Sequence, residues 1–292
     1  MKIFSSISNA VYDTGIMAWD VLLTFGNLVR FSRPVGKVTP EGHPGYGGYW
    51  PEYRPPQEGD SRSCCPGLNA MANHGIIPRS GKGIKFTDVP ECIHSTFNFS
   101  PSFCYHVCHY AARTLDRSYR KDTFDLEEIS LHNGIEHDAS LTRLDTALQP
   151  NQAVTHPAYV EELFTFATGK DAAGNPLLIN KDLSRILGKR RAESKATNKD
   201  YSLGLFHRLF STANTSTIPT IFGGRVDDLR VIFSEERLPE GWESRVRKPY
   251  GLTIFTLNLT TLSIGLGIRE ADWADDAKRA ADAAKISTEE NA

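Results

Sequence analysis

The chain has 292 residues, with 33 Lys+Arg against 35 Asp+Glu and 40% hydrophobic residues, so it can bury one large core or two small ones and is neither fibrous nor disordered. A net charge of −2 without a basic stripe excludes nucleic acid as the main partner. The 23 Gly and 16 Pro point to long loops between elements, not to a repeat solenoid.

Residues 7–31 predict an amphipathic helix. Ile7, Val11, Ala18, Leu22, Phe25 and Val29 recur at helical spacing, while Asn9, Asp13, Asp20, Thr24 and Asn27 fall on another face. Asp20, Gly26, Asn27 and Arg30 make it a poor membrane span. The plain expectation is a helix packed on its own domain; a surface-lying membrane anchor or a dimer contact are the alternatives. Pro34 ends it. Residues 40–60, rich in Gly and Pro, predict an irregular loop held on the domain surface by Tyr46, Tyr49, Trp50 and Tyr53.

Helical patterns follow at 67–74, 102–119, 126–133, 158–168, 181–191, 202–211 and 226–236; residues 252–257 read as a strand or as the start of a helix. The stretch 271–292 is Ala-rich and charged, a helix expected to fray into disorder. The class is mainly α, divided into an N-terminal helix (1–35), one domain (36–270) and a tail (271–292). Cys64, Cys65, Cys92, Cys104 and Cys108 do not make a disulfide framework. No clean signal peptide is read, so the expected compartment is intracellular and reducing, and sequons at Asn98, Asn214 and Asn258 are expected chance matches.

The informative segment is residues 64–79. Cys65 precedes Pro66, a residue favoured at the first position of a helix, so its sulfur is expected at a helix N-terminus. Orphan amides and the helix dipole there favour an anion, and the expectation is a thiol of lowered pKa. Gly67 would leave room for a flat cofactor. On composition alone a structural cysteine is the better reading.

The whole string resembles the signature of the fungal heme-thiolate peroxidases, the chloroperoxidase and unspecific peroxygenase group: Pro-Cys-Pro-x-x-Asn-x-x-Ala-Asn-His-Gly-x-x-Pro. Cys65, Pro66, Asn69, Ala72, Asn73, His74, Gly75 and Pro78 match, and Cys64 stands where the first Pro would be. The resemblance implies a single-domain, mainly α chloroperoxidase-like fold with long loops. It implies heme b with Cys65 as axial ligand of the iron, and Pro66, Gly67, Leu68, Asn69 and Ile135 around the cofactor. Glu136, His137, Asp138 and Ser140 resemble the family's Glu-His-Asp-x-Ser element. There the Glu136 carboxylate, the His137 carbonyl and the Ser140 hydroxyl would bind Mg²⁺, an oxygen-only set that suits a hard cation. The His137 side chain would face the distal side with Asp138 fixing its tautomer. A His at this position, where the longer secreted peroxygenases have Gly, resembles the short chloroperoxidase-like branch. A third segment, Glu236, Arg237, Leu238, Pro239 and then Gly241 and Trp242, resembles the stretch that closes the fold.

One family feature is missing. Catalytic members carry a distal Glu upstream of that third segment, but residues 204–224 hold neither Glu nor Asp. Aligned on Phe222 and Gly223, Asn214 falls near the catalytic position, and Asn cannot shuttle a proton. His207 is the other residue weighed for that task. The expected function is a peroxidase or peroxygenase that uses a hydroperoxide to oxidise a small apolar substrate. The alternative is a lyase, isomerase or dehydratase acting on an organic, lipid-type hydroperoxide; heme binding or sensing without catalysis is a third reading.

Overall fold

A computed structural model describes residues 2–289, with side chains described from 9 to 283. Its helices are α1 (Lys2–Val29), α2 (Pro66–Asn73), α3 (Val89–Phe97), α4 (Pro101–Thr114), α5 (Pro157–Thr165), α6 (Asn180–Thr197), α7 (Leu205–Ile221), α8 (Val226–Glu235), α9 (Ile254–Gly265) and α10 (Ala274–Glu289). Strand content among the described residues is two short antiparallel pairs: β1 (Ile84–Lys85) with β2 (Thr123–Phe124), and β3 (Gly169–Lys170) with β4 (Pro176–Leu177). The mainly helical class holds.

Several boundaries differ from the sequence expectation. Helix α3 lies where none was read. Residues 126–130 form a 3₁₀ turn rather than a helix to 133. The helix expected at 202–211 runs on to Ile221. Thr212, Thr215, Ser216 and Thr220 bond back to carbonyls four residues earlier, so these poor helix formers complete the helix instead of breaking it. Residues 252–257 resolve into an extended approach and then α9, capped by Thr253. In the tail, α10 packs on α6 and buries Ala277 and Ala281, while 290–292, where the expected fraying would end, lie outside the described residues.

The core joins α2, α6 and α8 through Met71, Leu183, Ile186, Leu187, Leu229 and Ile232. Helices α7 and α9 pack against each other, and both contact α6. Helix α1 packs on α4 and α9 through its polar face. Asp20 is 1% exposed and accepts hydrogen bonds from Ser102 Oγ (2.6 Å) and from the Ile254 and Phe255 amides (3.0 and 2.9 Å). Asn27 donates to the Gly251 carbonyl and accepts from the Tyr250 amide, and Asp13 pairs with Arg113. The polar residues therefore anchor α1, because the surface beneath offers the unsatisfied amides at the start of α9.

Candidate active site

Cys65 is the N-cap of α2, with extended backbone (φ −93°, ψ 106°), and Pro66 opens the helix. The amides of Gly67 and Leu68 favour its thiolate, as a helix N-terminus should provide. The thiol pKa is nonetheless raised: burial is the largest influence and outweighs those amides and the Arg143 charge. The expected lowering by the helix terminus therefore fails, because a terminus carries only about half a charge while the sulfur loses its water. A thiol bound to a metal ion is deprotonated outright, so such an ion would supply what the helix cannot. A Cβ on Gly67 would come within 3.3 Å of the Phe97 ring, so the glycine allows the helix to approach that ring.

The motif holds its own loop in place. Asn69 accepts at Oδ1 from the Ser63 amide (2.9 Å) and donates to the Ser63 carbonyl (2.8 Å) and to Glu236 Oε1 (2.8 Å). Ser63 Oγ in turn accepts from the Cys65 amide. Asn73 accepts from the Arg62 guanidinium and donates to the Glu236 carbonyl. His74 bonds the Pro51 carbonyl through Nδ1 (2.5 Å) and accepts from the Leu238 amide at Nε2 (3.1 Å), which makes it neutral with the proton on Nδ1. The first and third motifs thus form one buried polar lattice.

Above Cys65 lies a cavity of about 700 Å³, walled mostly by apolar side chains such as Leu68, Phe97, Leu141, Phe210, Ile218 and Phe222. Cofactor and ligand pockets span about 300–1,000 Å³. Pro66, Gly67, Leu68, Ile135, Glu136, His137, Ser140 and Asn214 all line it. Asn69, Asp138 and His207 do not. Asn69 sits behind the cysteine loop. Asp138 is buried to one side, accepting from the Ser202 amide.

Glu136 is buried, with Oε2 accepting from His132 Nδ1 (2.6 Å) and Thr146 Oγ1 (2.7 Å) and Oε1 without a partner. His137 is buried, its Nδ1 bonded to the Asp138 carbonyl (2.8 Å) and its ring edge-on to Phe210. The backbone carbonyl of Asp138, not its carboxylate, therefore fixes the His137 tautomer. Burial lowers the His137 pKa, and neutral imidazole is its state near pH 7. Ala139, between Asp138 and Ser140, is left-handed at φ 61°, and its amide donates to Asp145 Oδ1 (2.8 Å). Asp145 is itself held by Ser194 and by Asn198 (2.9 Å). That clamp sustains a conformation an L-residue avoids and sets the reach of Ser140. Asn214 is exposed, at the mouth of the cavity. Glu136 is the one carboxylate among the described residues on the cavity wall.

A family model described as "Peroxidase, family 2" matches residues 51–247, well over half of the chain. The chain belongs to peroxidase family 2. An aromatic peroxygenase from Cyclocybe aegerita is 27% identical over 229 residues, covering 70% of this chain but only 58% of that protein. An aromatic peroxygenase from Coprinellus radians is 26% identical over 223 residues, 65% of this chain and 80% of that one. A chloroperoxidase from Leptoxyphium fumago is 30% identical over 100 residues, 32% of this chain and 26% of its own.

In this member of the family the site holds residues that sequence reasoning missed. Arg143 is buried on the cavity wall, donating to the Gln152 carbonyl and to Glu236 Oε1 (2.9 Å). His106 on α4 also lines the cavity, with a buried Nδ1 that has no partner. Arg143 stands three residues after Ser140, so its nearness to the second motif was the available signal. His106 carried none.

Proposed function

We propose that the chain is a heme-thiolate peroxidase or peroxygenase that uses a hydroperoxide to oxidise a small apolar substrate. The observation that carries this reading is Cys65, facing an apolar cavity of cofactor size from the N-terminus of α2. The donor set fits heme: the Cys65 thiol, which alone among the cavity's four cysteines (Cys64, Cys65, Cys104 and Cys108) caps the N-terminus of α2, apolar walls for a flat macrocycle, and the buried Arg143 cation for its carboxylates. Bound heme with a thiolate ligand supplies O–O cleavage, since the thiolate pushes electron density toward the iron.

The chain's own residues do the rest. Cys65 would hold the iron, and Pro66, Gly67, Leu68 and Ile135 would bound the ring. The bare Oε1 of Glu136 and the Ser140 hydroxyl are hard oxygen donors on the same wall, so together with the His137 carbonyl they would hold Mg²⁺. His137, neutral and without a hydrogen bond at Nε2, can take a proton there and return it. The apolar wall excludes water and selects apolar substrates.

The alternative, a lyase, isomerase or dehydratase acting on an organic hydroperoxide, draws on one observation. Asn214, which alignment on Phe222 and Gly223 puts near the position of the family's distal Glu, lines the cavity, and Glu136 is the sole wall carboxylate among the described residues. Turnover of H₂O₂ and of a fatty-acid hydroperoxide, measured side by side with product analysis, separates the two. Oxygen transfer to an added aromatic substrate with H₂O₂ supports the peroxygenase. Rearrangement of the lipid hydroperoxide, with no H₂O₂ turnover, overturns it.

A further inference from the structure

Helix α1 presents its apolar side outward. Asp13, Asp20, Thr24 and Asn27 all bond to the domain, whereas Leu22 (69%), Phe25 (62%), Leu28 and Val29 are exposed. No exposed α1 position from 14 to 29 carries a charge. Helix α9, packed beside it, contains no charged residue and exposes Phe255, Leu259 (57%) and Leu262, with the capping Leu266 exposed just beyond its end. The start of α7 adds Leu205, Phe206 and Leu209. Apolar exposure on three adjoining elements exceeds the scattered single residues of an ordinary soluble surface.

The cavity opens within this surface: Met17, Phe206, Asn214 and Asn258 both line it and stand exposed. Beyond the end of α1 the surface turns basic. Arg30, Lys37 and Arg247 are exposed there, with Lys248 beside them, and the Arg33 amide bonds the Arg247 carbonyl to join the two segments. The nearby Glu243 is buried and occupied by the Gly36 and Val38 amides, so it does not neutralise that rim.

We infer that the outward faces of α1, α9 and the first turn of α7 dock on an anionic lipid bilayer, with the cavity mouth facing the lipid. Apolar side chains would enter the boundary between headgroups and acyl chains, and the basic rim would meet anionic headgroups. No helix among the described residues is long and apolar enough to cross a membrane, so α1 lies along the surface. A second copy seated here would close the mouth. A bilayer instead leaves it open to a phase where apolar molecules concentrate. The inference concerns the exterior of the fold and stands apart from the heme reading.

The test is co-sedimentation of the purified full chain with vesicles of phosphatidylcholine containing phosphatidylserine, and of phosphatidylcholine alone. The chain should pellet with the mixed vesicles and less with the neutral ones. Phe25→Glu combined with Leu259→Glu should cut the bound fraction by at least about tenfold, since two large apolar groups leave the lipid. The circular dichroism should stay unchanged, because both side chains are exposed. Arg30→Glu with Lys37→Glu should weaken binding to the mixed vesicles only. A wild type that stays in the supernatant overturns the proposal, as does a Phe25/Leu259 variant that binds as well. A concentration-dependent dimer that this variant converts to monomer assigns the face to a second copy and overturns it too.

Discussion

The Leu238 amide donates to His74 Nε2 at 3.1 Å, and this bond ties the cysteine-bearing motif to a segment 164 residues later. With the Nδ1 bond to Pro51, His74 makes two hydrogen bonds in a buried setting. Leaving a buried amide unsatisfied costs about 1–3 kcal/mol, so His74→Ala should lower unfolding stability by roughly that amount in urea titration. It should also loosen the loop that carries Cys65.

The same histidine sets a pH dependence. Burial holds its pKa below the ordinary value. A depressed histidine adds stability above the unfolded pKa of about 6.5, and that stability is lost as pH falls through the folded value. Protonation at Nε2 removes the acceptor of the Leu238 amide. Stability should therefore decline on acidification below about pH 6.5, and His74→Gln should flatten part of that decline.

Helix α1 was legible as a helix, and its two faces were legible as faces. Which face turns inward was not. The answer rests on the α9 amides, which lie 234 and 235 positions from Asp20. Asp20→Ala strips those amides and Ser102 of their acceptor and should cost about 1–3 kcal/mol. Asp20→Asn, which keeps one oxygen, should cost less in the same thermal or urea melt.

The cysteine motif was readable for a related reason. Ser63 and Asn69 are six positions apart, so the loop and its brace share one short string. Arg143 and Asp145 escaped notice, and Glu236 was read only as part of the closing segment, because their partners lie up to 167 positions away. The Ser/Thr-rich end of α7 hid the helix because its hydroxyls satisfy backbone carbonyls, a property of the folded state.

Glu136 keeps one oxygen bare on the cavity wall. Glu136→Gln or Ser140→Ala should weaken Mg²⁺ retention in elemental analysis and speed heme loss to apomyoglobin. Equal Mg²⁺ content in wild type and both variants would remove the cation from the account.

Positioned acid–base groups contribute about 10²–10⁴-fold to rate. Asn214→Glu should raise H₂O₂ turnover by a measurable part of that range and leave lipid-hydroperoxide turnover little changed. His137→Ala should lower both. An unchanged rate with H₂O₂ in Asn214→Glu would show that another group, such as His106 or His137, already moves the proton.

The most direct test of the central claim is the spectrum of the reduced, carbon monoxide-bound protein after reconstitution with heme. With Cys65 as ligand, the wild type should show the red-shifted Soret band of thiolate ligation, and Cys65→His should shift it to the imidazole position. A wild-type band already at the imidazole position, or one unmoved by replacing Cys65, would contradict heme-thiolate ligation by this residue.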